Sequence, residues 1–148
     1  MRTEDELKRN QAPIILMVDD DEDDLLLARD ALKESKAPGT LFSLGDGVEL
    51  LEYLTRSGRY SKEIDTPMPA LILLDLNMPR KDGRQALQEI KSIAALKEIP
   101  IVVLTTSRGE KDIAFCRCMG AKDLLTKPVE FDRWVEMMRS LAEIWLAG

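Results

Sequence analysis

Ile14-Ile15-Leu16-Met17-Val18-Asp19-Asp20-Asp21-Glu22-Asp23-Asp24 is the stretch that decides the fold. Five apolar residues run straight into six acidic ones. An unbroken apolar run of this length reads as a strand buried on both faces, so its end concentrates negative charge at one edge of a sheet. Two unit charges about 5 Å apart repel by roughly 3 kcal/mol at an effective dielectric near 20. Carboxylates held that close imply a cation, a raised pKa, or a fanned arrangement that separates them.

Four more short apolar runs follow: Leu41–Leu44, Leu71–Asp75, Ile101–Thr105 and Asp123–Leu125. Helical patterns occupy the gaps, over Leu25–Lys36, Val48–Arg56, Gly83–Leu96, Glu110–Met119 and Glu130–Leu146. Gly and Pro fall at the element ends, as at Pro38-Gly39, Gly58, Pro100 and Gly120. Regular β–α alternation argues for an α/β domain with right-handed crossovers and helices on both faces of a parallel sheet. Ser57–Pro69 is longer than an ordinary helix-to-strand loop and reads as a surface excursion rather than a domain boundary.

The chain of 148 residues is one ordinary domain in size, 45% hydrophobic and 32% charged. A net charge of −6 argues against nucleic-acid or anionic-membrane binding. No window approaches the roughly 20 apolar residues of a membrane span, and the polar start Met1-Arg2-Thr3-Glu4 lacks the apolar core of a signal peptide, so a cytoplasmic location is expected. Histidine is absent, which removes His-based acid–base catalysis and His-ligated zinc. Cys116 and Cys118 are too close for an ordinary disulfide or a four-ligand zinc site and read as reduced helix-packing thiols.

In a parallel sheet the strand ends share one edge, where ligands bind at the switch in strand order. The first strand ends in Asp19-Asp20, the third in Asp75 and the fourth in Thr105-Thr106, while the fifth leads to Lys127-Pro128. Two or three carboxylates, a hydroxyl and an ammonium suit phosphoryl transfer. Acidic residues hold Mg²⁺, Asp75 serves as an oxygen nucleophile, and Lys127 and Thr105 face the phosphoryl oxygens. Each piece has a plainer alternative. Asp19 and Asp20 could be a helix-entry cluster, Asp75 a loop carboxylate, Thr105 a turn cap and Lys127 a surface lysine. Four such coincidences at four strand ends weigh against the plain set.

Val18-Asp19-Asp20, Leu73-Leu74-Asp75-Leu76-Asn77-Met78-Pro79 with Asp82-Gly83, Thr105 and Lys127-Pro128 together resemble the receiver domain of bacterial two-component response regulators, over roughly Ile14 to Trp145. The resemblance implies a doubly wound, flavodoxin-like (βα)5 fold, its central parallel sheet of five strands in the order 2-1-3-4-5. Residues 1–12 would be an N-terminal extension and 13–148 the receiver, with no separate output domain. By position Asp75 is the phosphoacceptor and Asp20 a direct metal ligand. The Asn77 backbone carbonyl completes the protein's ligands, and Asp19 assists through a metal-bound water. The cation is Mg²⁺ or another divalent ion such as Mn²⁺. Thr105 matches the switch hydroxyl and Lys127 the lysine that pairs with the phosphoryl group; Pro128 follows where the family commonly has a cis peptide. Asn77 and Ser107 match positions that tune hydrolysis of the phosphoryl group. Receivers often carry Tyr or Phe three residues before the lysine, but here that residue is Leu124, so phosphorylation would be read through Thr105 and backbone shifts instead.

Leu71–Arg84 and Val102–Ser107, with the excursion at Ser57-Gly58-Arg59-Tyr60, are similar to the single-domain regulators paired with cyanobacterial and bacterial phytochrome histidine kinases. That similarity implies a phytochrome-type histidine kinase as partner and a homodimer through helix 4, strand 5 and helix 5. In the last helix, Phe131, Trp134, Val135, Met138, Leu141, Ala142 and Trp145 form a core-facing stripe, with Met137, Ile144 and Leu146 off it; Phe115 and Met119 could add apolar surface on the preceding helix. The expected function is a switch phosphorylated on aspartate that catalyses only its own phosphorylation and dephosphorylation. The alternatives are a Mg²⁺-dependent phosphohydrolase with an aspartyl nucleophile, or a receiver-like scaffold. Dehalogenase-like phosphatases need Asp-x-Asp, and Asp75-Leu76-Asn77 lacks the second acid. Within the acidic run, Asp19 and Asp20 are the metal candidates, while Asp21–Asp24 begin the first helix.

Overall fold

A computed structural model describes residues 13–60, 68–78, 82–106 and 109–146. The N-terminal extension 1–12, residues 61–67 of the excursion, Pro79 to Lys81 and Ser107 lie outside the described residues. The strands are β1 Ile14–Val18, β2 Thr40–Leu44, β3 Leu71–Leu74, β4 Ile101–Thr105 and β5 Asp123–Thr126. They form one parallel sheet in the order β2-β1-β3-β4-β5, the expected flavodoxin-like arrangement. Helices α1 Glu22–Ser35, α2 Gly47–Thr55, α3 Gly83–Ser92, α4 Glu110–Cys118 and α5 Phe131–Trp145 alternate with them, and a 3-10 turn spans Gly58–Tyr60.

β1, β3 and β4 are central and nearly wholly buried because both sheet faces are covered. Alternation along β1 sends Leu16 and Val18 toward α2, α3 and α4, and Ile15 and Met17 toward α1 and α5. On the second face Trp134 and Met138 of α5 meet Ala28, Ala31 and Leu32 of α1. Burying each large side chain there stabilises the fold by roughly 1.5–3 kcal/mol. The α5 stripe is buried at Trp134, Val135, Met138, Leu141 and Ala142, but Phe131 is 39% exposed and Trp145 half-buried at the fraying ends. Phe115 and Met119 pack against the core rather than adding surface.

The acidic run begins α1 as expected: Asp21 caps it and accepts from the amides of Asp23 and Asp24, so Glu22, Asp23 and Asp24 form its first turn ahead of the periodic stretch from Leu25. One helix end differs from the sequence expectation by more than a residue. α3 stops at Ser92, since Ile93 is extended and tight turns carry the chain to Ile101, although Leu96 stays buried. Cys116 is buried in the core and Cys118 is exposed; both are free thiols. No helix among the described residues is long and apolar enough to cross a membrane.

Candidate functional site

The register aligns the strand ends. Val18 sits level with Leu44 and with Leu74, so Asp19 and Asp75 emerge side by side where β1 and β3 stop. Asp75 N donates to the Val18 carbonyl and Asp19 N to the Leu44 carbonyl, which continues the ladder one step past each strand. Thr105 ends β4 opposite Thr126 of β5, and Lys127 follows immediately, its amide bonded to the Thr105 carbonyl. Asp19, Asp75 and Thr105 are all buried, whereas Asp20 is exposed.

Lys127 organises the pocket. Its Nζ lies 2.7 Å from Asp19 Oδ2, 2.9 Å from Asp24 Oδ2 and 3.2 Å from Asp75 Oδ2. Asp24 is the residue that sequence reasoning missed. The sequence reading places it wholly in the helix start, whereas its position in the first turn of α1 aims its carboxylate across at Lys127.

Carboxylate oxygens of Asp19, Asp20 and Asp75 all lie within 4.8 Å of one another. Burial pushes the Asp19 carboxyl up to about 6; the hydrogen bonds from Lys127 and Asp21 N oppose that, and the charge of Asp75 adds to it. Burial pulls Lys127 down, but the bonds to Asp19 and Asp24 outweigh it and hold the ammonium above its ordinary range. One ammonium cannot neutralise three carboxylates. The firm charge on Lys127 expresses the excess negative charge around it, and the proton preference of Asp19 expresses first its burial and then the neighbouring charge of Asp75. A hard oxygen donor set of this kind, partly open at Asp20, fits Mg²⁺ or Mn²⁺.

The loop after β3 is built tightly. Asn77 N donates to Asp75 Oδ1 at 3.2 Å, and Asn77 Nδ2 reaches Thr105 Oγ1 at 3.5 Å. Asp82 caps α3 in a reciprocal box with Gln85. Gly83 N donates to the Leu76 carbonyl at 2.9 Å. A methyl at Gly83 would overlap the Asp75 carbonyl and stand 2.6 Å from Leu76 Cα, so only glycine fits against the loop after β3. Leu124 is half-buried against the core. No cis peptide bond occurs among the described residues, Lys127–Pro128 included.

A parallel 2-1-3-4-5 sheet with carboxylates, a threonine and a lysine on its carboxyl edge defines a receiver. Residues 15–139 match the family described as response regulator receiver domain, and the chain belongs to it. It is 39% identical over 137 residues to response regulator Rcp1 of Synechocystis sp., covering 93% of this chain and 91% of that protein. The phosphorylated cyanobacterial phytochrome response regulator RcpA superposes with a TM-score of 0.83 at 38% identity, over 92% of this chain and 95% of that one. The Mn²⁺-bound form of Rcp1 does so with a TM-score of 0.80 at 39% identity, over 90% and 94%. The acidic pocket of Asp19, Asp20 and Asp75 fits phosphoryl acceptance with a divalent metal.

Proposed function

We propose that Asp75 accepts a phosphoryl group from a histidine kinase, in a pocket completed by Mg²⁺ or Mn²⁺, Thr105 and Lys127. The observation that carries this reading is the convergence of three carboxylates within 4.8 Å and one ammonium 3.2 Å from Asp75. Asp20 and Asp75 would hold the cation directly, with the Asn77 carbonyl, and Asp19 through a water. The bound cation would supply charge neutralisation at the phosphoryl oxygens. An Asp75 carboxylate oxygen attacks phosphorus, the P–N bond to the kinase imidazole breaks, and the imidazole leaves with the bonding pair and takes up a proton. Lys127, already charged, pairs with a phosphoryl oxygen, and Thr105 donates its hydroxyl to another. The chain then acts only on its own acyl phosphate, forming and losing it.

The similarity to RcpA and Rcp1 supports a phytochrome-type kinase as donor, and a kinase charged by ATP implies the cytoplasm. Output through a homodimer on α4, β5 and α5 is supported by a groove of about 620 Å³ between β5 and α5, lined in part by Leu125, Met137, Leu141 and Ile144, the last 65% exposed. We take residues 13–148 as the receiver unit.

Incubation with acetyl phosphate and Mg²⁺ should add one phosphoryl group, labile to hydroxylamine, and Asp75→Asn should abolish it. Continued release of phosphate from many substrates would instead support the hydrolase, and undiminished labelling of Asp75→Asn would refute the assignment. Sedimentation at monomer mass, with and without a phosphate mimic, would remove the dimer.

A further inference from the structure

Arg84, the second residue of α3, is absent from the phosphoryl chemistry yet holds a central place beside it. Its guanidinium forks onto Asp112 in the first turn of α4, with Nε 2.8 Å from Oδ1 and Nη2 2.7 Å from Oδ2. Nη1 turns the other way, to 3.5 Å from the Leu76 carbonyl and 3.8 Å from Asp82 Oδ2. The Leu76 carbonyl and the Asn77 amide belong to one rigid peptide plane. That amide is the group that donates to Asp75 Oδ1. A continuous line of contacts therefore runs from α4, through Asp112 and Arg84, across the Leu76–Asn77 peptide, to the acceptor carboxylate.

We propose that Arg84 and Asp112 are positioning residues for Asp75, fixing the Leu76–Asn77 peptide and so the orientation of the acceptor carboxylate, and tying that orientation to α4. The inference rests on the reading of Asp75, Asp20 and Asn77 as the metal and phosphoryl set. The bidentate pair is the reason for a planar guanidinium. Lys could satisfy one Asp112 oxygen or the Leu76 carbonyl, but it has no fork with which to hold both at once. The pair is half-buried, with side-chain exposures of 32% for Arg84 and 16% for Asp112, so its geometry is supported by packing rather than left to solvent.

Mn²⁺ binding followed by electron paramagnetic resonance, with the Asn77 amide NMR shift in the metal-free chain, tests it. Arg84→Gln, Arg84→Lys and Asp112→Asn should each move the Asn77 resonance and weaken Mn²⁺ about tenfold, the lower end of what lost support around metal ligands does. The Arg84→Gln/Asp112→Asn double variant should be no weaker than the worse single, because both cut one line. Arg59→Gln, which breaks an exposed pair with Glu52 remote from Asp75, should change neither readout. Variants that melt earlier but keep parental Mn²⁺ affinity and an unmoved Asn77 amide would overturn the proposal. So would a loss in Arg84→Gln with none in Asp112→Asn. Parental protein that binds no Mn²⁺, or Asp20→Asn protein that binds it equally, would overturn the site reading and this inference with it. Arg84→Lys keeps the charge and guards against a variant that fails to fold.

Discussion

Replacing Gly83 by Ala should damage the protein twice, and the structure gives the size. The new Cβ would stand 2.6 Å from Leu76 Cα and 2.9 Å from the Asp75 carbonyl carbon, with backbone atoms on the receiving side. Carbon atoms rest at about 3.5–4.0 Å, so either α3 or the acceptor loop must move by roughly 1 Å. Overpacking of this kind costs about 1–3 kcal/mol, and Ala recovers up to about 1 of that through helix propensity. A net loss near 2 kcal/mol in a domain of this size lowers the melting temperature by about 4–8 °C. The displaced atoms belong to Asp75 and its neighbour, and a shift of about 1 Å at a reacting group can slow chemistry on the order of a hundredfold. Thermal denaturation and acyl-phosphate formation from acetyl phosphate measure the two effects. Gly45→Ala is the control, because a methyl there meets only Glu49 Oε2 at 3.7 Å. Gly83→Ala protein that melts with Gly45→Ala and is phosphorylated at the parental rate would refute the reasoning.

Three further outcomes are expected. With its carboxyl raised from 3.8 to about 6, native Asp19 binds a proton more tightly than the unfolded chain does, so in metal-free buffer its contribution to stability falls as pH rises from about 4 to 6, by about 3 kcal/mol in all; Asp19→Asn should flatten that part of a urea-denaturation pH profile. Lys127→Met leaves Asp19, Asp24 and Asp75 without their shared cation, and unfolding at pH 7 should show a loss of about 3 kcal/mol that millimolar Mg²⁺ partly restores. Asp82→Ala removes the side-chain half of the α3 capping box, the bond from Gln85 N, while its own N–H still donates to Gln85 Oε1, and should cost about 1 kcal/mol by the same measurement.

The strand ends were legible because β1, β3 and β4 are continuous apolar runs, each ending at or just before a polar residue. Parallel pairing then brings Asp19, Asp75, Thr105 and Lys127 together without further information. What escaped depended on helix phase. Asp24 was fully explained as a first-turn acid, and only its angle on α1 shows that it also reaches Lys127. The Arg84–Asp112 fork joins residues 28 apart on different helices, a contact no local periodicity encodes. The end of α3 escaped too, since Ile93-Ala94-Ala95-Leu96 carries no breaker and the turn there is imposed by the need to start β4.

Lys127 lies 103 residues after Asp24 and 52 after Asp75 along the chain. During synthesis at roughly 5–20 residues per second, Asp24 therefore leaves the ribosome about 5–20 s before its counter-ion does. Over that interval the central strands can pair, but their charged edge has no ammonium to hold it together. α5 arrives later still and brings Trp134 and Met138 to close the face shared with α1. The ammonium at the charged edge and the side chains that close the α1 face thus come from the same late-emerging segment.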